Sequence, residues 1–186
     1  MIIHSTQKLA KKLPDVSSEA LTAASPLGSW HANLYLIDRR NCVMFCHDET
    51  RFSLFISALK KADFANLDFW FRDVYANTLL KLNFDTRLIE KGLAQITPLQ
   101  FDTQCDRSVQ GTMRIASYDL DSILLNTPNL TDLRTAPIYS ISASLNDRPV
   151  RTKHLKSSDC IWPDKEMHNF LQNLPIPPTA IPSLKQ

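Results

Sequence analysis

The residues best suited to chemistry cluster between positions 31 and 51, where a histidine and acidic side chains lie among arginines and two cysteines. The candidate ligand-binding residues in this stretch are His31, Asn33, Arg39, Asp48 and Arg51. A histidine paired with a carboxylate can act as a general base, and a neighbouring thiol can act as a nucleophile. The same pair can equally be a cross-strand hydrogen bond with no catalytic role. Both interpretations require the fold to bring His31 and Asp48 together.

A second polar group begins at position 106. Asp106 is a good helix N-cap, and Arg107, Gly111 and Arg114 would then share one face of the helix that follows. A glycine inside a helix costs about 1 kcal/mol relative to alanine. Gly111 therefore indicates that something approaches the helix closely, either a neighbouring element or a ligand. The sharper hypothesis is an anion held by the two arginines and the helix N-terminus.

The sequence predicts neither a cofactor nor a metal site. Its three glycines, Gly28, Gly92 and Gly111, are too far apart to form a dinucleotide fingerprint or a P-loop. Cys42 and Cys46 would be about 13 Å apart on a regular strand. Two ligands of one zinc ion lie within about 4 Å of each other, so these two thiols cannot share one.

A β-hairpin over about residues 30–47 is expected to position the first polar group. Apolar residues alternate with polar ones through 30–37, a polar block follows at 38–41, and a second apolar run occupies 42–46. A four-residue turn would set Ile37 opposite Cys42, and His31 would then face Asp48. Asn41 is the turn residue that best tolerates a positive φ.

The remaining residues predict a mixture of helices with a few short strands. Helical spacing runs through 48–96 and from Asp106 to just before Pro128, and a last helix is expected from Pro163 to about Leu174. Short strands are expected at 1–4 and 98–103, and clean alternation at 138–145 predicts a one-sided strand. Without a regular βαβ order, these elements predict an α+β fold. Its small, mostly antiparallel sheet would have the hairpin at its centre and several helices packed against it.

Length and charge limit the domain organisation and the partners. The 186 residues fit one domain over 1–174, followed by a proline-rich arm over 175–186. The net charge of +2 is too balanced for a dedicated nucleic-acid binder, although Lys8, Lys11 and Lys12 form a basic helix face. No apolar stretch approaches the ~20 residues that a membrane span needs, and no signal peptide is evident. We expect a cytoplasmic protein with reduced cysteines.

Two strings of residues resemble a known family. The sequence WHANL at 30–34 and the sequence DRSVQGTM at 106–113 are similar to strings in a family of small bacterial proteins of unknown function. The resemblance covers about the first 115 residues. It implies a bacterial, cytosolic accessory protein, with a suggestion of mobile DNA, and it supplies no activity, cofactor or catalytic residue.

These observations favour a non-catalytic module that binds a small anionic ligand or a protein partner, and we expect it to form a homo-oligomer. The first alternative is a small hydrolase or transferase that uses His31 with Asp48 or a cysteine and holds an anion with Arg39, Arg107 or Arg114. The second alternative is a nucleic-acid-binding protein of a mobile element, which the charge balance does not favour.

Overall fold

The computed structural model describes residues 1–22, 25–151 and 159–175, and a five-stranded sheet lies at the centre of this part of the chain. The strands are β1 (Ile2–Ser5), β2 (Trp30–Ile37), β3 (Arg40–His47), β4 (Ser53–Leu59) and β5 (Gln100–Asp102). Their spatial order is β4-β3-β2-β1-β5. The β2–β3 and β3–β4 pairs are antiparallel, whereas β1 runs parallel to both β2 and β5.

Helices cover both faces of the sheet. They are α1 (Gln7–Ala10), α2 (Leu67–Lys81), α3 (Thr86–Gln95), α4 (Arg107–Leu125), α5 (Ile138–Asn146) and α6 (Pro163–Asn173), with short 3₁₀ helices at Lys61–Asn66 and Leu133–Thr135. On one face Trp30 and Phe45 pack against Phe71 of α2. On the other face Met44 and Phe55 pack beneath α4 and α5. The predicted α+β class, with a mostly antiparallel sheet, is confirmed.

The hairpin is confirmed, but its turn is two residues shorter than predicted. Ile37 pairs with Arg40 rather than with Cys42, and Asp38 and Arg39 alone form the turn, with φ values of 45° and 62°. Two consecutive positive φ angles are the geometry that matches the twist of a tight hairpin. The prediction for Asn41 was wrong, because Asn41 lies inside β3. The shorter turn also places Cys46, not Asp48, opposite His31.

Two predicted secondary-structure assignments were wrong, and they are linked. Residues 53–59 form strand β4 instead of a helix, and residues 138–146 form helix α5 instead of a strand. Helix α5 runs along the edge of β4: Ser142 Oγ accepts the Phe55 N–H at 2.9 Å, and Asn146 Oδ1 accepts the Ser53 N–H at 2.7 Å. Asn146 Nδ2 also donates to the Ser53 carbonyl. These side chains replace a sixth strand and satisfy edge groups that would otherwise be unpaired.

The glycines play different roles from those predicted. Nothing lies within 4 Å of the position that a Gly111 Cβ would occupy, so no neighbour in the described chain explains that glycine. The close approach occurs instead at Gly92 inside α3, where a Cβ would lie 2.6 Å from the Tyr75 hydroxyl oxygen. Gly28 has a φ of 75°, a left-handed conformation that glycine adopts more readily than other residues.

Two further expectations concern the ends of the chain and the membrane. Residues 176–186 of the predicted proline-rich arm lie outside the described residues. Within the described part of the chain, none of the helices combines the length and the apolar character that crossing a bilayer requires.

A neutral histidine is buried at the end of β3. His47 Nε2–H donates to the Leu27 carbonyl at 2.9 Å, and Nδ1 accepts the Thr50 N–H at 3.2 Å. The ring packs on Trp30 with 5.0 Å between centroids. Burial lowers the pKa of His47 to about 4, so the folded protein resists protonation of this ring.

We expect the free energy of unfolding to decrease as the pH falls from about 6.5, where an unfolded histidine takes up its proton, towards the folded pKa of about 4. The folded pKa is the lower one, so the stabilisation is present above this window and is lost within it; its size is roughly 3 kcal/mol. Urea unfolding between pH 7 and pH 4 measures the loss. His47→Gln retains a donor for Leu27 but does not titrate, so its pH dependence should be shallower. An equally steep dependence in the variant would contradict the assignment to His47.

Candidate functional site

His31 joins three elements at one end of the sheet. The ring is only 2% exposed and lies on β2. Nδ1 lies 2.6 Å from Asp48 Oδ1, just after β3, and Nε2 lies 2.6 Å from the backbone nitrogen of Asp106, at the start of α4. A backbone N–H can only donate, so Nε2 accepts and the proton resides on Nδ1. His31 is therefore a neutral bridge between β2, the β3–β4 connection and α4.

Asp48 is held as an ionised carboxylate. Besides Oδ1 on His31, its Oδ2 accepts the Ser29 hydroxyl at 2.7 Å. Burial acts to raise the pKa of Asp48, but the hydrogen bonds from His31 and Ser29 outweigh it and hold the pKa below its usual value. The predicted His31–Asp48 pair thus exists, although it is reached diagonally past Cys46 and not directly across the hairpin.

The geometry of His31 restricts what it can do chemically. Both ring nitrogens already have partners within the chain. A general base needs a nitrogen that can reach a substrate proton, and neither nitrogen of His31 is available without breaking one of these bonds. The arrangement suits positioning α4 better than it suits proton transfer.

Arg51 lies beside the same junction with few partners. It is the last residue of the β3–β4 turn region, has a φ of 62° and is only 6% exposed. Nη2 donates to Ser108 Oγ in the first turn of α4 over a long 3.4 Å, while Nε and Nη1 have no hydrogen-bond partner among the described residues. Since Nε carries one N–H and Nη1 carries two, three of the five guanidinium donors are unsatisfied.

The buried Cys46 thiol is influenced by the charges of Arg51 and of a second arginine, Arg148. Arg148 Nη1 pairs with Asp119 Oδ2 at 3.0 Å, but its buried Nη2 has no partner in the part of the chain that the structure describes. Burial raises the pKa of the Cys46 thiol to about 12, and the charges of Arg51 and Arg148 oppose this only in part. Cys46 is therefore a protonated thiol, not a nucleophile, in a region that two cations make electropositive.

The structure divides the predicted site residues into separate places. Three of them, His31, Asp48 and Asp106, meet at one junction. Arg107 follows Asp106 directly and is the first residue of α4. Asn33 and Arg114 line a different groove of about 310 Å³ between β2 and α4. Arg39 is exposed in the hairpin turn, about 20 Å from His31 at ~3.3 Å per strand residue. Gly111 lies farther along α4.

A second histidine–carboxylate pair escaped the sequence analysis. His4 Nδ1 lies 2.7 Å from Asp102 Oδ1, and the His4 ring lies 5.0 Å from the His31 ring between centroids. Asp102 is fully buried and its Oδ2 accepts the Leu21 N–H at 3.0 Å. Burial acts to raise the pKa of Asp102, but its hydrogen bonds, first the one from Leu21, hold it below its usual value. The two residues are 98 positions apart and no local pattern connects them.

Among the described residues, no group of three or more histidine, cysteine, aspartate or glutamate side chains is arranged to hold a metal ion. In the histidine pair at the junction, His31 bonds to the Asp48 carboxylate and the Asp106 N–H, and His4 bonds to the Asp102 carboxylate through Nδ1.

Comparison with known proteins places the chain in a family. Residues 2–166 match the family described as a domain of unknown function, DUF6933, and the chain belongs to it. The predicted membership in a family of unknown function is confirmed. No curated protein and no solved structure matches the chain.

We expect His31→Ala to destabilise the protein by roughly 2–4 kcal/mol, since it leaves the Asp48 carboxylate and the Asp106 N–H without their partner. Asp48→Asn should cost less, because an amide oxygen can still accept from Nδ1. Urea unfolding of both single variants and the double variant measures the coupling. The double variant should cost clearly less than the sum.

Arg134→Ala provides the control for that cycle, because Arg134 is exposed on the 3₁₀ helix Leu133–Thr135. Its effect should add to that of His31→Ala. Strict additivity between His31→Ala and Asp48→Asn would show that the charge of the Asp48 carboxylate adds nothing to its hydrogen bond with His31.

Proposed function

We propose that this protein is a non-catalytic module that binds a small anionic ligand, with Arg51 as the anchor. The observation that carries the proposal is the buried Arg51 guanidinium, which has three donors without an acceptor. Unpartnered polar groups in a protein interior are rare and costly. A carboxylate or phosphate oxygen would satisfy these donors, because guanidinium groups match the planar geometry of such anions.

The surroundings of Arg51 support an anion more than a neutral ligand. Ser108 supplies a hydroxyl in the first turn of α4, where the helix dipole favours negative charge. Near the Cys46 thiol, Arg148 adds another buried nitrogen that lacks a partner among the described residues. The charges around Arg51 are not all positive, since Asp48 lies at the same junction, but the Asp48 carboxylate already accepts from His31 and Ser29. A small anion with one or two charges fits this balance better than a polyanion.

The thiols support action in a reducing compartment. Cys42, Cys46, Cys105 and Cys160 are all free, and disulfides are rare in the cytosol. We accordingly propose that the module acts in the cytoplasm.

We expect inorganic phosphate or acetate, added at constant ionic strength, to raise the melting temperature of the wild-type protein. Ligand at 100 times its dissociation constant stabilises by about 2.7 kcal/mol, or roughly 5–10 °C for a chain of this size. Arg51→Met should abolish this increase. In buffer without these anions the variant should be as stable as wild type or more stable, because it removes an unpaired buried charge.

Arg39→Met is the matched control, because Arg39 has the same φ of 62° but is exposed in the hairpin turn. It should leave the response to anions unchanged. If Arg51→Met destabilises the protein and wild type does not respond to either anion, Arg51 is a structural residue and the proposal fails. A response that persists in Arg51→Met would place the anion elsewhere, which also overturns it.

A second candidate function, a small hydrolase or transferase, is favoured by the His4–Asp102 pair. Asp102 orients the ring through Nδ1, and the His4 side chain is 15% exposed. A carboxylate that holds a histidine in this way can prepare the opposite nitrogen to act as a base. His4 is thus a better candidate base than His31, whose two nitrogens both have partners.

Turnover separates the two candidate functions. The enzyme interpretation predicts hydrolysis of a chromogenic phosphate or carboxylate ester that is lost in His4→Gln. The binding-module interpretation predicts no turnover, together with an anion response that His4→Gln preserves. Hydrolysis that is unaffected by His4→Gln would argue against His4 as the base.

A further inference from the structure

The outer face of α4 exposes large apolar side chains. Ile115 and Tyr118 are more than half exposed, and Leu125 is 86% exposed. The opposite face of the same helix is fully used, because Val109, Met113, Ala116 and Leu120 are buried in the core. Exposed apolar residues that share one helix face indicate an interaction surface more strongly than scattered ones do.

The outer face has the spacing of a helix–helix seam. The residues along it are Gly111, Ile115, Tyr118, Ser122 and Leu125, which follow one another at intervals of four, three, four and three. This is the repeat by which two α-helices pack side by side. The seam contains small as well as large side chains, and it begins with a glycine whose Cβ position is empty in the described chain.

We propose that α4 pairs in antiparallel orientation with α4 of a second copy of this chain, about a twofold axis at Tyr118. Gly111 and Leu125 lie seven residues on either side of Tyr118, which is about 10.5 Å along the helix axis in each direction. Twofold symmetry therefore sets Leu125 of one copy against Gly111 of the other. The most exposed apolar side chain meets the one position of the seam without a side chain.

Charge complementarity supports both the partner and the orientation. Arg114 and Asp121 are exposed on one flank of the seam, and neither has an ion-pair partner among the described residues. Arg114 lies four residues before Tyr118 and Asp121 lies three after it, so the two come within about 1.5 Å of the same level across the axis. A parallel pair would instead set leucine against leucine and place the two Arg114 side chains on opposite flanks of the seam.

The pairing also accounts for Gly111 itself. A glycine inside an exposed helix weakens the helix, and no packing contact within the described chain requires it. A side chain at this position would fill the space that Leu125 of the second copy needs. Gly111 then weakens the helix to allow dimerisation, and not to make room for the ligand that the sequence alone suggested.

Charge exchange tests the pairing. Sedimentation equilibrium should show wild type approaching twice the chain mass of 21.2 kDa with increasing concentration. Arg114→Asp and Asp121→Arg should each weaken dimerisation roughly tenfold, because symmetry turns two attractive pairs into two repulsive ones. The double variant should restore it. Both residues are exposed, and circular dichroism of each variant serves as the control for folding.

A second set of variants tests the shape of the seam. Gly111→Gln should raise the melting temperature of the monomer, since glutamine favours helix and the Cβ position is open, yet it should weaken the dimer. Leu125→Ser should also weaken the dimer, whereas Leu36→Ser, which replaces an exposed leucine on β2 away from α4, should not. Wild type that stays monomeric at high concentration, or a double charge exchange that does not restore a dimer, would overturn the proposal.

Discussion

The position of α4 depends on one buried histidine. His31 accepts the Asp106 N–H with one nitrogen and donates to Asp48 with the other, so the start of a 19-residue helix is tied to the middle of the sheet. Asp106 then caps the helix by accepting the N–H groups of the next turn. Because α4 starts there, Ser108 lies beside Arg51 and the row of exposed residues on α4 points away from the sheet. Both proposed interactions of this protein follow from that placement.

Local signals in the sequence were sufficient for much of the fold. The hairpin, the Asp106 cap and the helix that opens at Pro163 each depend on residues near one another in the chain, and all three were predicted correctly. The errors arose where distant contacts decide the structure. Residues 53–59 are apolar on both faces, which suits a buried strand or a helix equally. Ser142 belongs to the alternating pattern at 138–145 and Asn146 follows it directly, but the two are four residues apart on a helix and serve the edge of β4.

The candidate site shows the same division between what is local and what is distant. The His31–Asp48 pair was predicted, although the register behind the prediction was wrong. The predicted turn was two residues too long, yet Asp48 still lies within diagonal reach of His31. The residue type identified Arg51 as a candidate. That its Nε and Nη1 lack an acceptor among the described residues depends on which groups surround it in space. The His4–Asp102 pair is created by parallel strands, whose connection is too long for any motif to span.

Gly111 illustrates how a correct energetic premise can lead to the wrong neighbour. The sequence argument held that a glycine in a helix must be compensated, and the structure removes every candidate within the described chain by leaving the Cβ position empty. The compensation must then come from outside the described residues or be absent. Leu125 offers the missing side chain only if the helix meets a copy of itself in reverse, because it lies as far beyond Tyr118 as Gly111 lies before it. The same reversal brings Arg114 and Asp121 together, so one symmetry operation accounts for the glycine, the exposed leucine and the two unpaired charges.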